Sequence, residues 1–277
     1  MSATQIVIVG HVTHDRYGDD LVAGGCAFYG AHTQRALGAD VHLVTAVGDD
    51  FACDAALAGL TVDVTRGGAT TLFTNLYPAG GLRVQRIEAM APPVAPPAVV
   101  PPGALVHLAP VMQELDLAAW LDACAGRPVA IAIQGWIKDR GPAETVVQTP
   151  WDVDGALLSR VAFAACGEED LVGQGDLLDR LCRHVPVVAF THGKRGCDVI
   201  VAGATTKVGV YPDAVEVDPT GAGDTFAAGF FLGLAQGRSP VDAAKLGAAA
   251  ASIVVEGRGG ETLSRVGEAH ARAALIR

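Results

Sequence analysis

Short runs rich in valine and isoleucine alternate along this chain with alanine- and leucine-rich segments of helical length. Strands that are apolar along their whole length are buried on both faces, which is typical of a parallel sheet covered by helices. The sequence therefore predicts an α/β fold, a three-layer, doubly wound, mostly parallel sheet. Strands are predicted at 5–9, 41–47, 104–108, 129–133, 161–165, 187–191 and 198–201. Helices are predicted at 27–37, 51–58, 115–125, 176–184, 225–236 and 241–255.

One region breaks this alternation. Residues 70–77 and 83–87 look like two strands joined by the turn sequence Pro-Ala-Gly-Gly at 78–81, with no helix between them. We interpret 61–88 as a β-hairpin lid inserted into one α/β domain that spans 1–277. A two-stranded hairpin is only marginally stable alone, so the lid is also a candidate surface for a homodimer.

The segment Asp-Pro-Thr-Gly-Ala-Gly-Asp at 218–224 places two glycines and a carboxylate at the start of an apolar helix. A helix start carries unpaired N–H groups and the positive end of the backbone dipole, and glycines let a phosphate approach them. Asp224 would repel a phosphate unless it accepts a proton from an attacking hydroxyl, so it is a candidate general base. The alternative is an ordinary turn in which Asp224 compensates the helix dipole.

Polar residues follow several of the predicted strands, where open α/β sheets bind their ligands. Asp15 follows the first strand and could accept hydrogen bonds from two hydroxyls of a polyol, although turn aspartates are common. Gly24 and Gly25 open the next helix, but neither a P-loop nor a dinucleotide-binding sequence surrounds them.

Two later segments could serve a nucleotide and its metal ion. Residues 191–196, Thr-His-Gly-Lys-Arg-Gly, lie between two strands and could meet a nucleotide, or could form a plain hairpin turn. The acidic residues at 168–170 could hold Mg²⁺, or could begin a helix.

Charge and cysteine usage narrow the function classes. A net charge of −10 without a basic run argues against nucleic acid as a partner, and it means that an anionic nucleotide would need Mg²⁺ and N–H groups. The apolar stretch at 226–235 is too short to span a membrane. Scattered cysteines without a Cys-x-x-Cys pair, and no visible export signal, predict a cytoplasmic protein with reduced thiols.

Taken together and in order, these segments resemble the ribokinase-like, or PfkB, carbohydrate kinases over nearly the full chain. The resemblance implies ATP and Mg²⁺ as cofactors and a small sugar or polyol as substrate. Some family members also use K⁺ near the position of Asp218. The roles that the resemblance implies are Asp224 as base, Gly221, Ala222 and Gly223 as anion-hole donors, Asp15, Gly24, Gly25 and Tyr29 at the acceptor, Thr191, Gly193 and Gly196 at the nucleotide, and Glu169 near Mg²⁺.

The chain departs from the family pattern at three places. Tyr29 stands where many members carry asparagine, and the segment at 166–169 keeps its glutamate but lacks the usual asparagine. Gln-Gly-Trp at 134–136 replaces Asp-Pro-Asn, which makes Lys138 or Arg140 a candidate phosphate contact.

The opening Gly-His-x-x-His-Asp at 10–15, together with Tyr29, is similar to the inositol-kinase branch. The hypothesis is therefore an ATP-dependent kinase that phosphorylates a hydroxyl of a small sugar or polyol. A cyclitol kinase, a nucleoside kinase and a non-catalytic ligand-binding protein are the alternatives.

Overall fold

The computed structural model describes residues 3–76 and 84–277. Its strands are β1 (Gln5–Val9), β2 (Thr13–Tyr17), β3 (Asp20–Gly24), β4 (Asp40–Val47), β5 (Thr61–Arg66), β6 (Leu72–Leu76), β7 (Val84–Ala89), β8 (Leu105–Leu108), β9 (Val129–Ala132), β10 (Lys138–Arg140), β11 (Val146–Gln148), β12 (Phe163–Gly167), β13 (Val187–Thr191), β14 (Cys197–Val201) and β15 (Ala204–Val208). Its helices are α1 (Cys26–Ala36), α2 (Leu117–Ala123), α3 (Gly155–Leu158), α4 (Leu177–His184), α5 (Ala222–Ala235), α6 (Pro240–Val254) and α7 (Ala269–Ala273).

The main sheet has nine strands in the order β15-β14-β13-β12-β9-β8-β1-β4-β5. From β5 to β13 every neighbouring pair is parallel, and β14 and β15 add an antiparallel edge. The predicted doubly wound, mostly parallel α/β fold is confirmed. The carboxyl ends of the parallel strands therefore lie at one edge of the sheet, where ligands are expected.

Two apolar cores, one on each face of the sheet, produce the three layers. Ile6 and Ile8 of β1 belong to a buried cluster with residues of α1, α5 and α6. Val7 and Val9 point to the other face and belong to a second cluster with α2 and α4. All four side chains are almost completely buried. Burying a valine or isoleucine side chain contributes about 1.5–3 kcal/mol, so both faces of this strand stabilise the fold.

A smaller, four-stranded sheet has the order β3-β2-β6-β7. β2 pairs with β6 in parallel, and the pairs β2–β3 and β6–β7 are antiparallel. The pairing of two strands within 70–87 agrees with the sequence prediction, although the predicted turn at 78–81 lies outside the described residues. β2 and β3 were not predicted: the sequence of β2 is largely polar, and β3 is a short strand whose first three residues are exposed.

The predicted start of the lid at residue 61 is wrong. β5 pairs with β4 in parallel along its whole length, so it is an edge strand of the main sheet. The smaller sheet draws only β6 and β7 from the interval 61–88. Its other two strands come from the segment that carries Asp15 and Gly24.

The helix predicted at 51–58 is wrong, since the structure has only a single 3-10 turn at Asp54–Leu57. Asp50 Oδ1 accepts hydrogen bonds from the amide and the hydroxyl of Thr70 at 2.7 and 2.8 Å. The Ala52 amide donates to Nε2 of His14 at 3.1 Å. These bonds hold the segment after β4 as a loop that ties the smaller sheet to the main one.

Two global features bear on the expected location. Among the described residues, no helix combines the length and apolar character needed to cross a bilayer. All six cysteines are free thiols. The cytoplasmic location itself stays a prediction.

Candidate active site

Asp224 lies in the first turn of α5. The helix begins at Ala222, three residues earlier than the sequence predicted, because Gly221 adopts a left-handed conformation (φ 79°) that lets the chain enter the helix directly. Asp224 is half-buried, and the helix has no other acidic residue in its first turn. The positive end of the helix dipole therefore stabilises its carboxylate.

The two glycines of this motif have different surroundings. A Cβ atom on Gly221 would lie 2.5 Å from the ring of Tyr29, whereas one on Gly223 would meet no atom within 4 Å. Gly223 is also exposed. The Ala222 amide donates to the Pro219 carbonyl at 3.1 Å, so it is already engaged in a turn. The open approach to the start of α5 is therefore at Gly223.

A side-chain amide holds the Asp224 carboxylate. Nε2 of Gln134 donates to Asp224 Oδ1 at 2.6 Å and to Cys26 Sγ at 2.7 Å. The side-chain oxygen of Gln134, Oε1, accepts a hydrogen bond from Lys138 Nζ at 3.1 Å. Burial raises the pKa of the Cys26 thiol well above its ordinary value, and the charge of Asp224 raises it further. The sequence marked Gln134 only as a departure from the family pattern, and its contact with Asp224 was not foreseen.

Asp15 and Gly24 face each other in the smaller sheet. Asp15 is buried, and its Oδ1 accepts from Thr13 Oγ1 at 2.9 Å. A Cβ on Gly24 would lie 2.2 Å from Asp15 Oδ2, so the missing side chain leaves the space that the carboxylate occupies. Gly25, with φ 91°, is also closely packed, because a Cβ there would lie 2.7 Å from the His11 carbonyl oxygen. These glycines therefore shape the surroundings of Asp15.

Tyr29 connects the acceptor residues with the start of α5. Burial raises the pKa of its phenol, and the nearby charges of Asp15, Asp224 and Asp218 act in the same direction. The side chain is only 2% exposed. Its ring therefore serves as an internal wall beside Gly221, and the candidate acceptor and base residues share one neighbourhood around it.

Asp218 is fully engaged with hydrogen-bond donors. Its Oδ1 accepts from the amide and hydroxyl of Thr220 at 2.9 and 2.7 Å. Its Oδ2 accepts from the Gly259 amide at 3.2 Å and the Tyr17 hydroxyl at 3.4 Å. Burial opposes ionisation, but these donors outweigh it and lower the pKa of Asp218. Because both oxygens already accept hydrogen bonds, the Asp218 side chain is poorly suited to bind K⁺. A K⁺ site near Asp218 stays a prediction.

The predicted nucleotide segment lies at the ends of β12 and β13. Thr191 Oγ1 donates to the Cys166 carbonyl at 3.4 Å. Gly193 has a left-handed φ of 56° and open space where a Cβ would stand. A Cβ on Gly196 would lie 2.1 Å from the Val208 carbonyl, so this glycine is required by packing. Of the three predicted nucleotide residues, Thr191, Gly193 and Gly196, the exposed one that a ligand can approach is therefore Gly193.

The neighbouring acidic residues differ in their contacts. Glu168 forms an ion pair with Arg195, and Glu169 is exposed, with its carbonyl accepting from Gln148 at 2.8 Å. Asp170 accepts from the Gly167 amide at 2.7 Å. Burial raises the pKa of Asp170, and the positive charge of Lys138 opposes this shift. Lys138 therefore lies within electrostatic reach of both the Asp224 side and the Asp170 side of the site.

Within residues 3–76 and 84–277, no group of three or more His, Cys, Asp or Glu side chains is arranged to hold a metal ion. Mg²⁺ in phosphoryl-transfer sites is commonly held by one or two carboxylates together with substrate phosphates and water. The exposed Glu169 carboxylate, just beyond the end of β12, fits that kind of ligand. The Mg²⁺ site at Glu169 stays a prediction.

A cavity of about 350 Å³ adjoins the predicted nucleotide segment. It is lined by Glu168, His192, Arg195, Cys197, Asp198 and Lys207. His192 and Lys207 both lie within ion-pair distance of Asp198, at 3.2 and 3.1 Å. The cationic groups that line this cavity, Arg195 and Lys207, are therefore already paired with carboxylates, which limits their attraction for phosphates.

Comparison with known proteins finds similarity to one class of enzyme. A sequence profile described as pfkB family carbohydrate kinase matches residues 162–265, a segment that includes α5 and Asp224. A solved pyrophosphate-dependent kinase in the ribokinase family, complexed with a pyrophosphate analogue and myo-inositol, superposes with a TM-score of 0.80 at 21% identity, over 95% of this chain and 99% of that one. The chain therefore has the ribokinase-like fold, and its residues 162–265 match the pfkB family of carbohydrate kinases, in line with the sequence resemblance.

Within that class, the chain is similar to inositol 3-kinases. It is 45% identical to the inositol 3-kinase of Oryza sativa subsp. japonica over 93 residues, which cover 33% of this chain and 22% of that protein. It is 27% identical to the inositol 3-kinase of Arabidopsis thaliana over 271 residues, 91% of this chain and 74% of that protein. The stronger match thus spans less than a quarter of the relative's length.

Proposed function

We propose that this protein transfers the γ-phosphoryl group of ATP to a hydroxyl of a cyclitol, with myo-inositol as the first acceptor to test. The observation that carries the proposal is the position of Asp224 in the first turn of α5, beside the open backbone at Gly223. Asp15 and Tyr29 lie in the same neighbourhood. The similarity to inositol 3-kinases supports a cyclitol over a furanose or a nucleoside.

The chemistry follows from these positions. Asp15 accepts hydrogen bonds from hydroxyls of the acceptor and orients the ring. Asp224 accepts the proton of the attacking hydroxyl. The N–H groups at the start of α5 stabilise negative charge on the transferring group. Phosphoryl transfer needs little covalent assistance from the protein, so positioning and electrostatic stabilisation supply most of the acceleration.

Mg²⁺, when bound, neutralises charge on the donor phosphates, and Glu169 is the residue proposed to hold it. The net charge of −10 makes this contribution important, since an uncompensated polyphosphate would be repelled by the protein. The carboxylates near the donor segment, Glu168 and Asp198, are paired with Arg195 and Lys207, so that segment offers little net positive charge to offset the repulsion.

Pyrophosphate is a second candidate donor. The observation in its favour is that a solved pyrophosphate-dependent kinase superposes over 99% of its own length. Either donor presents a terminal phosphoryl group to the start of α5. The proposed roles of Asp224 and Gly223 are therefore the same for both.

The test is a transfer assay on the purified chain with Mg²⁺, using ATP or pyrophosphate against a panel of inositols, ribose, fructose and nucleosides. We expect Mg²⁺-dependent formation of an inositol monophosphate, identified by ³¹P NMR. Phosphorylation of ribose or a nucleoside in preference to every inositol would contradict the cyclitol assignment. Binding of these ligands without any transfer would indicate the non-catalytic alternative.

A further inference from the structure

We infer that Gln134 is a positioning residue for Asp224, and that Lys138 fixes the orientation of the Gln134 amide. The inference rests on the proposed function, because it concerns the group that would accept the proton. It assigns a role to the Gln-Gly-Trp segment at 134–136, which replaces the family's usual Asp-Pro-Asn.

The charges on either side determine which way the Gln134 amide points. An ammonium group can only donate hydrogen bonds and a carboxylate can only accept them. The amide oxygen must therefore face Lys138 Nζ, at 3.1 Å, and the NH₂ group must face Asp224 Oδ1, at 2.6 Å. Rotating the amide by 180° would set oxygen against oxygen and two donors against each other. Lys138 thereby selects the orientation that holds Asp224.

The backbone that carries Gln134 is rigid. Gln134 lies in a 3-10 turn, Ile133–Trp136, directly after β9. A Cβ on Gly135 would lie 2.1 Å from the Pro110 carbonyl, so the turn packs tightly against the loop that follows β8. Trp136 is buried and stacks on Trp151, with ring centroids 5.2 Å apart. A side chain on such an element can hold its partner more accurately than one on a loop.

The side chain of Gln134 is directed toward the site, whereas its neighbours belong to the core. Ile133 and Gly135 are buried, and Gln134 is half-buried. Its NH₂ group contacts both Cys26, the first residue of α1, and Asp224, the third residue of α5. It therefore links the helix that carries Tyr29 with the helix that carries the candidate base.

A general base has to meet its proton within hydrogen-bond reach, and a small misplacement of a catalytic group is costly. Holding Oδ1 leaves the carboxylate in one rotamer relative to the acceptor hydroxyl. Without Gln134, the Asp224 carboxylate loses this short hydrogen bond and the constraint that the bond places on its orientation. The loss should appear in the rate of transfer, while substrate binding through Asp15 persists.

Lys138 could instead contact the donor phosphates directly, and the two roles predict different kinetics. A lysine that acts through Gln134 should have no effect once Gln134 is gone. A lysine that touches the donor should raise the donor KM with or without Gln134. A double-mutant cycle therefore separates them.

The experiment compares Gln134→Leu, Lys138→Met and the double variant with wild type in steady-state transfer assays. We expect Gln134→Leu to lower kcat by about tenfold or more with both KM values within about threefold, and the double variant to be no slower than Gln134→Leu. Gln5→Leu is the matched control, since Gln5 also donates to a carboxylate, Asp40, but at the amino end of β1. Lys245→Met, in α6, is the control for the lysine.

If kcat is unchanged in Gln134→Leu, the positioning role is overturned. If the rate losses of the two single variants multiply in the double variant and the donor KM is raised, the role of Lys138 is overturned. Absence of transfer by wild type would instead contradict the proposed function. A crystal structure of Gln134→Leu then decides the inference without turnover. The inference predicts that the Asp224 carboxylate leaves its wild-type position, and an unmoved carboxylate contradicts it.

Discussion

Gly221 packs so closely against Tyr29 that a Cβ on the glycine would lie 2.5 Å from the tyrosine ring. Two residues further on, Gly223 has open space at the same position. The Gly-Ala-Gly segment thus contains one glycine that the fold requires and one that it does not require. Only at the second glycine, Gly223, is the space beside the backbone open to a ligand.

Gly223→Ala should therefore separate stability from activity. Gly223 is helical, and alanine is the better helix former by about 1 kcal/mol, so the melting temperature should stay level or rise. The methyl group would occupy the approach to the start of α5, and transfer should fall by about tenfold or more. Calorimetry and a transfer assay on the same preparation check both halves.

Gly221→Ala is the matched comparison, and it should lower the melting temperature because it combines a clash with left-handed strain. A Gly223→Ala variant that keeps full activity would remove Gly223 from the anion hole. A stable Gly221→Ala variant would show that the Tyr29 wall can move.

Asp15 and Gly24 should act together on the acceptor. Asp15→Ala removes the carboxylate, and a Cβ in Gly24→Ala would displace it, since that atom would lie 2.2 Å from Asp15 Oδ2. Both variants should raise the acceptor KM by about tenfold or more and leave the donor KM within about twofold. If the donor KM rose by the same factor as the acceptor KM, the assignment of Asp15 to acceptor binding would be contradicted.

Stability should fall as the pH is lowered below about 6.5, the ordinary pKa of histidine, because His107 is buried in the core. Burial lowers the pKa of His107 to about 3, so below about pH 6.5 the unfolded chain binds a proton that the folded chain does not. This group contributes a slope of about 1.4 kcal/mol per pH unit until its folded pKa is reached. Urea unfolding at a series of pH values measures the slope.

His107→Gln should flatten that slope, whatever its effect on stability at neutral pH. Burial also lowers the pKa values of His14 and His32, so part of the dependence should remain in the variant. Identical slopes in the variant and wild type would show that His107 becomes protonated without cost.

The ion pair between Glu256 and Arg272 should stabilise the C-terminal region. Two bonds of 2.7 and 3.0 Å join the guanidinium to the carboxylate, and both side chains are mostly buried. The bonds from Arg272 are the largest cause that lowers the pKa of Glu256. Glu256→Gln should therefore lower the free energy of unfolding by about 1–3 kcal/mol at neutral pH.

Because the folded pKa of Glu256 is depressed, its contribution is present above the unfolded value of about 4.3 and is lost as the pH falls below it. Asp122→Asn, which breaks the exposed pair of Asp122 with Arg160, is the control and should change stability by less than about 1 kcal/mol. Equal losses for the two variants at neutral pH would contradict the account.

Much of the main sheet was predictable from the sequence because its strands are buried on both faces. The runs at 5–9 and 187–191 have the predicted bounds in the structure. β2 was missed because it is largely polar and pairs with β6, which lies much later in the chain, and β3 was missed because it is short and mostly exposed. The region 51–58 failed as a helix because tertiary bonds from Thr70 and His14 decide its conformation.

The candidate base and its helix could be predicted from the local segment at 218–224. The partners of that segment were not, because they come from distant parts of the chain. Gln134 reaches Asp224 across 90 residues, and Gly259 reaches Asp218 across 41. No local sequence pattern at 134 or 259 predicts these contacts, because they form only when folding brings distant segments of the chain together.

The most direct test of the central claim is the rate of phosphoryl transfer by Asp224→Asn. The asparagine keeps the size of the side chain but cannot take up the proton of an acceptor hydroxyl. We expect kcat to fall by about 100- to 10,000-fold, with donor binding measured by calorimetry nearly unchanged. A variant that transfers phosphate at the wild-type rate would show that Asp224 is not the base.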